Sequence, residues 1–262
     1  MRNGLFVASA AVLLVVMAAL IKMNQPVPSS KLLTVRQFYS YLYEDGRHVE
    51  IPVYLNDVHH PLVHEDAHAH AYLSDGDEDK RLELHLVTIR KGHRETWLGE
   101  WFTRVILVFE MPWLDADFVI TDAYLNVMLA DASRHRFSLG EFHLLAARPH
   151  LGPFDWTALH GMKAENSFLS RLSTIHVTLA FTDIAIEAVM IGVDREVGVT
   201  READVLVLSI EPEAMLLTDV PLIIRYHHQG TTHHAMIGNF TYVIDHRILA
   251  SSGPLIQTYA LA

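Results

Sequence analysis

The sequence predicts an all-β fold: antiparallel β-sandwich modules, two in tandem, behind an N-terminal transmembrane helix. Three observations lead there. From residue 31 onward, short apolar or alternating runs are separated by turn residues. Long amphipathic helical patterns do not come between them, which argues against a parallel βαβ sheet. At the N-terminus, Leu5 to Ile21 is apolar except for Ser9. As a helix that run is roughly 25 Å long, the short end of what crosses a bilayer.

The elements follow in order. Residues 1–24 read as a signal-anchor flanked by Arg2 and Lys22. A cleavable signal ends in small residues at the A-x-A spacing, whereas here Leu20, Ile21 and Lys22 follow Ala18 and Ala19. The expected location is the cell membrane, single-pass, with the rest of the chain extracytoplasmic; secretion after cleavage is the alternative. Residues 25–30 (QPVPSS) form a tether. The first module is expected at 31–147. Within it, Leu82–Leu86 alternates with period two, turning His85 away from the leucine face, and VILVF at 105–109 suits a strand covered on both sides. Phe118–Leu129 and Phe137–Leu145 flank Ala130–Arg134 as a hairpin. Residues 148–171, carrying Pro149, Gly152, Pro153 and Gly161, read as a connector. The second module, 172–262, continues the series of strand-like runs. One large sandwich with 148–171 as a crossover is the competing arrangement.

Composition narrows the function classes. The 262 residues are 50% hydrophobic and 19% charged, enough to bury substantial cores. A formal charge of −11 argues against a nucleic-acid partner, which needs a basic face. The partner expected besides the membrane is a protein or cell-envelope component. Cysteine is absent, which excludes disulfides, thiolate metal sites and cysteine nucleophiles. An exported chain without cysteine also looks bacterial. P-loop, G-x-G-x-x-G and G-x-S-x-G motifs are missing.

Histidine is the anomaly, with 18 residues. Its ordinary pKa near ~6.5 places it to titrate at mildly acidic pH. Protonating all 18 would carry the formal charge from −11 to about +7, enough to alter association.

Two clusters are candidate sites for zinc or another divalent transition metal. The first, HHPLVHEDAHAHAY at 59–72, contains His64-Glu65-Asp66-Ala67-His68. On a helix, His64 and His68 share a face and Glu65 can activate a water. Asp66 inside the motif, the lack of a third spaced histidine and the β-rich surroundings count against that. Read as a strand, His60, His64, His68, His70 and Tyr72 share one face, and His68 and His70 stand roughly 7 Å apart, close enough to share a metal. The strand is the expectation for the later part, and the acidic Ser74–Asp79 that follows reads as a solvated hairpin tip. The second cluster is RYHHQGTTHH at 225–234. A four-residue loop at Gln229–Thr232 would set His228 opposite His233 and His227 opposite His234, about 5 Å apart.

The function these observations predict is an interaction protein without catalysis, responsive to metal or pH through its histidines. The alternatives are a zinc-dependent hydrolase using His64, Glu65 and His68, and a metal-handling accessory protein using His68, His70 and the 227–234 hairpin.

Overall fold

The computed structural model describes residues 30–146, 152–163, 172–180, 183–193, 195–210, 216–218, 220–240 and 247–261. They are nearly all β, and apart from the parallel β16–β2 and β2–β9 pairs of one sheet the strands pair antiparallel. In the first half run β1 (Lys31–Val35), β2 (Gln37–Leu42), β3 (His48–Leu55), β4 (His68–Ser74), β5 (Arg81–Leu84), β6 (Leu86–Trp97), β7 (Glu100–Glu110), β8 (Phe118–Leu129) and β9 (Arg134–Leu145). The second half adds β10 (Trp156–Lys163), β11 (Leu172–Leu179), β12 (Ala185–Ile191), β13 (Arg195–Glu196), β14 (Gly198–Glu202) and β15 (Val205–Ser209). It ends with β16 (Leu216–Thr218), β17 (Val220–His228), β18 (Thr231–Phe240), a four-residue helix α1 (Ile248–Ser251) and β19 (Ile256–Ala260).

Four sheets result. A five-stranded sheet has the order β19-β1-β3-β7-β6 and a six-stranded sheet the order β16-β2-β9-β8-β4-β5. Two four-stranded sheets run β10-β11-β15-β14 and β13-β12-β17-β18. Alternation explains how they bury their faces. Val49, Ile51, Val53, Val105 and Leu107 of the five-stranded sheet meet Leu73, Leu125, Val127, Phe137 and Phe142 of the six-stranded sheet in one core. Ile175, Val177, Leu206 and Leu208 meet Val189, Leu222, Ile224 and Ala235 in a second. Each such Val, Leu, Ile or Phe side chain contributes about 1.5–3 kcal/mol of transfer free energy when fully buried.

The hairpin expected at 118–145 is β8–β9, and the acidic tip after Ser74 is exposed. The alternating run at 82–86 is split: β5 ends at Leu84 in the six-stranded sheet and β6 starts at Leu86 in the five-stranded one. Residues 156–163, read as connector, form β10 and pair with β11. Pro149, Gly152 and Pro153 lie before the strand, Gly161 is tolerated within it opposite Ile175, and its exposed edge position asks for little apolar patterning. Two segments beyond residue 172 return to the first half. β16 pairs in parallel with β2, and β19 pairs antiparallel with β1, from Lys31↔Ala260 to Val35↔Ile256.

Among the described residues no helix is long and apolar enough to cross a membrane. The single-pass membrane location read from the sequence is corrected on that finding. Residues 1–24, on which it and the secreted alternative rested, lie outside the described residues.

The outer face of the six-stranded sheet positions the candidate site. At its β2 end this face is covered by the second half of the chain. Phe38 is fully buried in the second core. Gly192, at φ +64, is so close to Phe38 that a Cβ would lie 2.7 Å from the ring. At its β4–β5 end the same face is open.

Candidate functional site

Backbone conformation decides the fate of the first histidine cluster. Pro61–Val63 forms a 3-10 turn capped by His60, whose Nδ1 accepts from Leu62 N at 3.2 Å. His64 is extended, at φ −120 and ψ 121, and a second 3-10 turn, Glu65–Ala67, leads into β4. The helix that H-E-x-x-H requires is therefore absent, and His64 and His68 do not share a helical face. His64 is exposed. Glu65 accepts from Thr88 Oγ1 at 2.6 Å and from Ile89 N at 2.8 Å, and these bonds hold its carboxyl below the usual range. The carboxylate thus occupies a backbone donor of β6, an edge strand. Glu65→Gln is expected to speed hydrogen exchange at Ile89 without altering bound zinc. Loss of zinc in the variant would restore a metal role.

β4 begins with a bulge. His68 pairs with Leu129 and His70 with Met128, the register slipping between them. The extra residue flips the alternation, as bulges do. His68 joins the inner face, its Nε2 donating to Leu62 O at 3.0 Å. His70 joins the outer face, beside Tyr72 and in contact with Glu83. The uninterrupted strand on which His68 and His70 shared one face is corrected by this bulge, although Ala71 and Leu73 do point inward and Tyr72 outward as alternation predicts.

His68 instead joins His60 and His135. The rings of His60 and His135 are 5.8 Å apart, and His135 stacks on Phe137 at 5.9 Å. Burial pushes the His68 pKa down, against its bond to Leu62 O. Burial also pushes His135 down, helped by His60 and His68 and opposed by Asp131. The unfolded chain therefore takes up protons before these imidazoles do as pH falls through about 6.5. Their stabilising contribution is complete above that pH and is lost as pH falls towards the lower folded values. Urea unfolding midpoints are expected to hold from pH 8 to 7 and to fall from pH 6.5 to 5. His135→Phe, which keeps a ring against Phe137, flattens that fall; an unchanged slope would refute the assignment.

The second cluster closes more tightly than expected. Gln229 and Gly230, at φ 49 and φ 77, form a two-residue turn of the kind that suits a twisted hairpin. His227 consequently faces Thr232, His228 faces Thr231, Tyr226 faces His233 and Arg225 faces His234. The direct His228–His233 and His227–His234 oppositions are corrected by this register. His228 and His233 are diagonal neighbours with rings 6.5 Å apart. His233 stacks on Tyr226, His228 Nδ1 lies 2.8 Å from Asp183 O, and His227 lies 3.2 Å from Glu187. Among the described residues no group of three His, Asp or Glu side chains is placed to hold a metal ion.

What converges is a cleft of about 470 Å³ on the open end of the six-stranded sheet, lined by His70, Tyr72, Arg81, Asn126, Arg134 and Arg136 among others. Two rows cross three strands: His70↔Met128↔Arg134 and Tyr72↔Asn126↔Arg136. Arg81 lies 3.7 Å over the Tyr72 ring and its Nε donates to Glu83 at 2.8 Å. Arg136 lies 4.1 Å over Tyr124, and its Nη2 donates to Asp75 O and Gly76 O at 3.0 and 2.7 Å. The Tyr124 hydroxyl donates to Asp122 at 3.0 Å, which raises the phenol pKa. Asn126 is buried, its Nδ2 donating to Ser74 Oγ at 2.9 Å. Arg134 is exposed and pairs with no carboxylate among the described residues. The cleft arginines went unread in the sequence. Their local signal is Arg134-His135-Arg136 at a strand start, where alternation sends both arginines to one face and the histidine to the other.

No known protein family matches the chain, and no curated protein matches it. Similar solved structures include the CupB2 chaperone of Pseudomonas aeruginosa, 12% identical over 76% of this chain and 96% of that one, with a TM-score of 0.20. A tandem of titin immunoglobulin domains is 9% identical over 80% of this chain and 96% of its own, with a TM-score of 0.19. At such scores the likeness carries no argument about fold or function.

Proposed function

We propose that the chain is a non-catalytic binding protein of two β-sandwich units that holds a protein partner on the outer face of its six-stranded sheet. Two cores, each shared between a pair of sheets, support the architecture. The observation that carries the function is the cleft at the open end of that face. Its size falls within the range of ligand sites, and its polar groups are held by stacking and backbone hydrogen bonds. Glu65, spent on Thr88 and Ile89, does not favour the hydrolase reading.

Titration of the isotope-labelled chain with a mixture of short peptides tests this by NMR. Shifts concentrated at His70, Tyr72, Arg134 and Arg136, with the peptides intact afterwards, are expected. Shifts elsewhere only, or cleavage abolished by Glu65→Ala, would overturn the proposal.

A further inference from the structure

We infer that the cleft recognises carboxylates, and that its occupant is an extended acidic peptide segment of the partner, with Arg134 as the recognising cation. This rests on the binding reading above and adds the partner's chemistry.

Charge complementarity is the first support. The chain carries −11 overall, yet Arg81, Arg134 and Arg136 converge here with His70. Glu83 is already engaged by Arg81 and His70. A guanidinium fork matches a carboxylate with two parallel hydrogen bonds, and an arginine fixed beforehand loses less freedom on making them. Tyr72 and Tyr124 fix two of the three in this way. Arg136 spends its Nη2 on the Asp75 and Gly76 carbonyls, and Arg134 remains as the cleft arginine with neither a carboxylate nor a carbonyl partner among the described residues.

Spacing is the second support. Arg134 and Arg136 lie two residues apart on one face of β9, so their stems are about 7 Å apart. An extended peptide presents every second side chain at that same repeat. Asp or Glu at alternate positions would then meet successive arginines. The carboxylates of Glu78 and Glu83 beside the cleft disfavour a compact dianion such as phosphate more than single carboxylates spread along a chain.

The test uses the full chain and fluorescence anisotropy. A labelled eight-residue peptide with Asp at alternate positions is compared with its Asn counterpart. The acidic peptide is expected to bind about ten-fold more tightly, with affinity falling between 50 and 200 mM salt. Arg134→Ala removes that advantage, Arg134→Lys recovers only part of it, and Lys91→Ala, outside the cleft, leaves it intact. Equal binding of the two peptides, or an unchanged preference in a folded Arg134→Ala variant, would overturn the inference. So would inorganic phosphate that displaces the peptide at matching concentration, or sedimentation showing that a second copy fills the cleft. If both peptides bind equally and shift cleft resonances, the binding reading survives and only the acidic preference fails. If neither binds, both fail.

Discussion

Gly140→Ala is expected to destabilise the fold by about 3 kcal/mol or more, lowering the melting temperature by roughly 10 °C. Gly140 has φ +105, a region that L side chains rarely adopt. Added there, a Cβ would lie 2.5 Å from Gln37 O and 2.8 Å from Gln37 N. Both are backbone atoms, so no side-chain rotation relieves the clash, and β2 itself must move away from β9. Gly140 pairs with Gln37 in the parallel β2–β9 ladder, next to a register slip against β8. The strand that would be displaced also holds β16 and supplies Phe38 to the second core. Gly46→Ala is the matched control: φ is +75, but no atom lies within 4 Å of the added carbon. Only the backbone penalty applies, about 1–2 kcal/mol. Urea unfolding of the two variants separates the effects, and equal losses would refute the steric argument.

Local alternation made much of the fold legible. The β8–β9 hairpin and the Ala71–Leu73 inward face follow from period-two patterning, and the strand at 105–109 from a continuous apolar run, both of which neighbouring residues determine. Pairings set by distant parts of the chain were not legible. β16 and β19 cross back to β2 and β1, over separations that no local pattern encodes. Register failed for a related reason. One extra residue at His68–His70 sends the two rings to opposite faces, and a two-residue turn instead of four moves His227 from His234 to Thr232. The cleft was hidden more deeply. Its rows combine β4, β8 and β9, and only their assembly brings Arg134 and Arg136 beside His70 and Tyr72. The histidines drew the eye because they cluster in sequence, whereas the arginines cluster only in space.

Glu141→Ala is expected to cost about 3 kcal/mol, because it removes a carboxylate partner from a largely buried cation. Glu141 Oε2 accepts from Arg195 Nη2 at 2.8 Å, the side chains being only 12% and 20% exposed. Glu141 Oε1 also lies 3.0 Å from Nε2 of the buried His143. Arg195 rests 4.1 Å over Phe38, whose ring meets His143 edge-on at 4.9 Å. β9 supplies Glu141 and His143, β2 supplies Phe38, and β13 supplies Arg195, so the network joins the second half of the chain to the six-stranded sheet. Removing the carboxylate alone takes from the partly desolvated Arg195 the anion that offsets its charge across the β9–β13 contact. Removing both charges is different: Glu141→Leu with Arg195→Leu restores most of the lost stability, since apolar side chains replace a buried pair at little net cost. A double-mutant cycle from urea unfolding therefore gives a strong coupling of favourable sign. Simple addition of the two single losses would show that the pair does not interact energetically. The network lies at the covered end of the face, away from Arg134, so the double variant should still bind the acidic peptide with unchanged affinity once folded. A parallel loss of stability and peptide binding would instead place the second half of the chain in the support of the cleft.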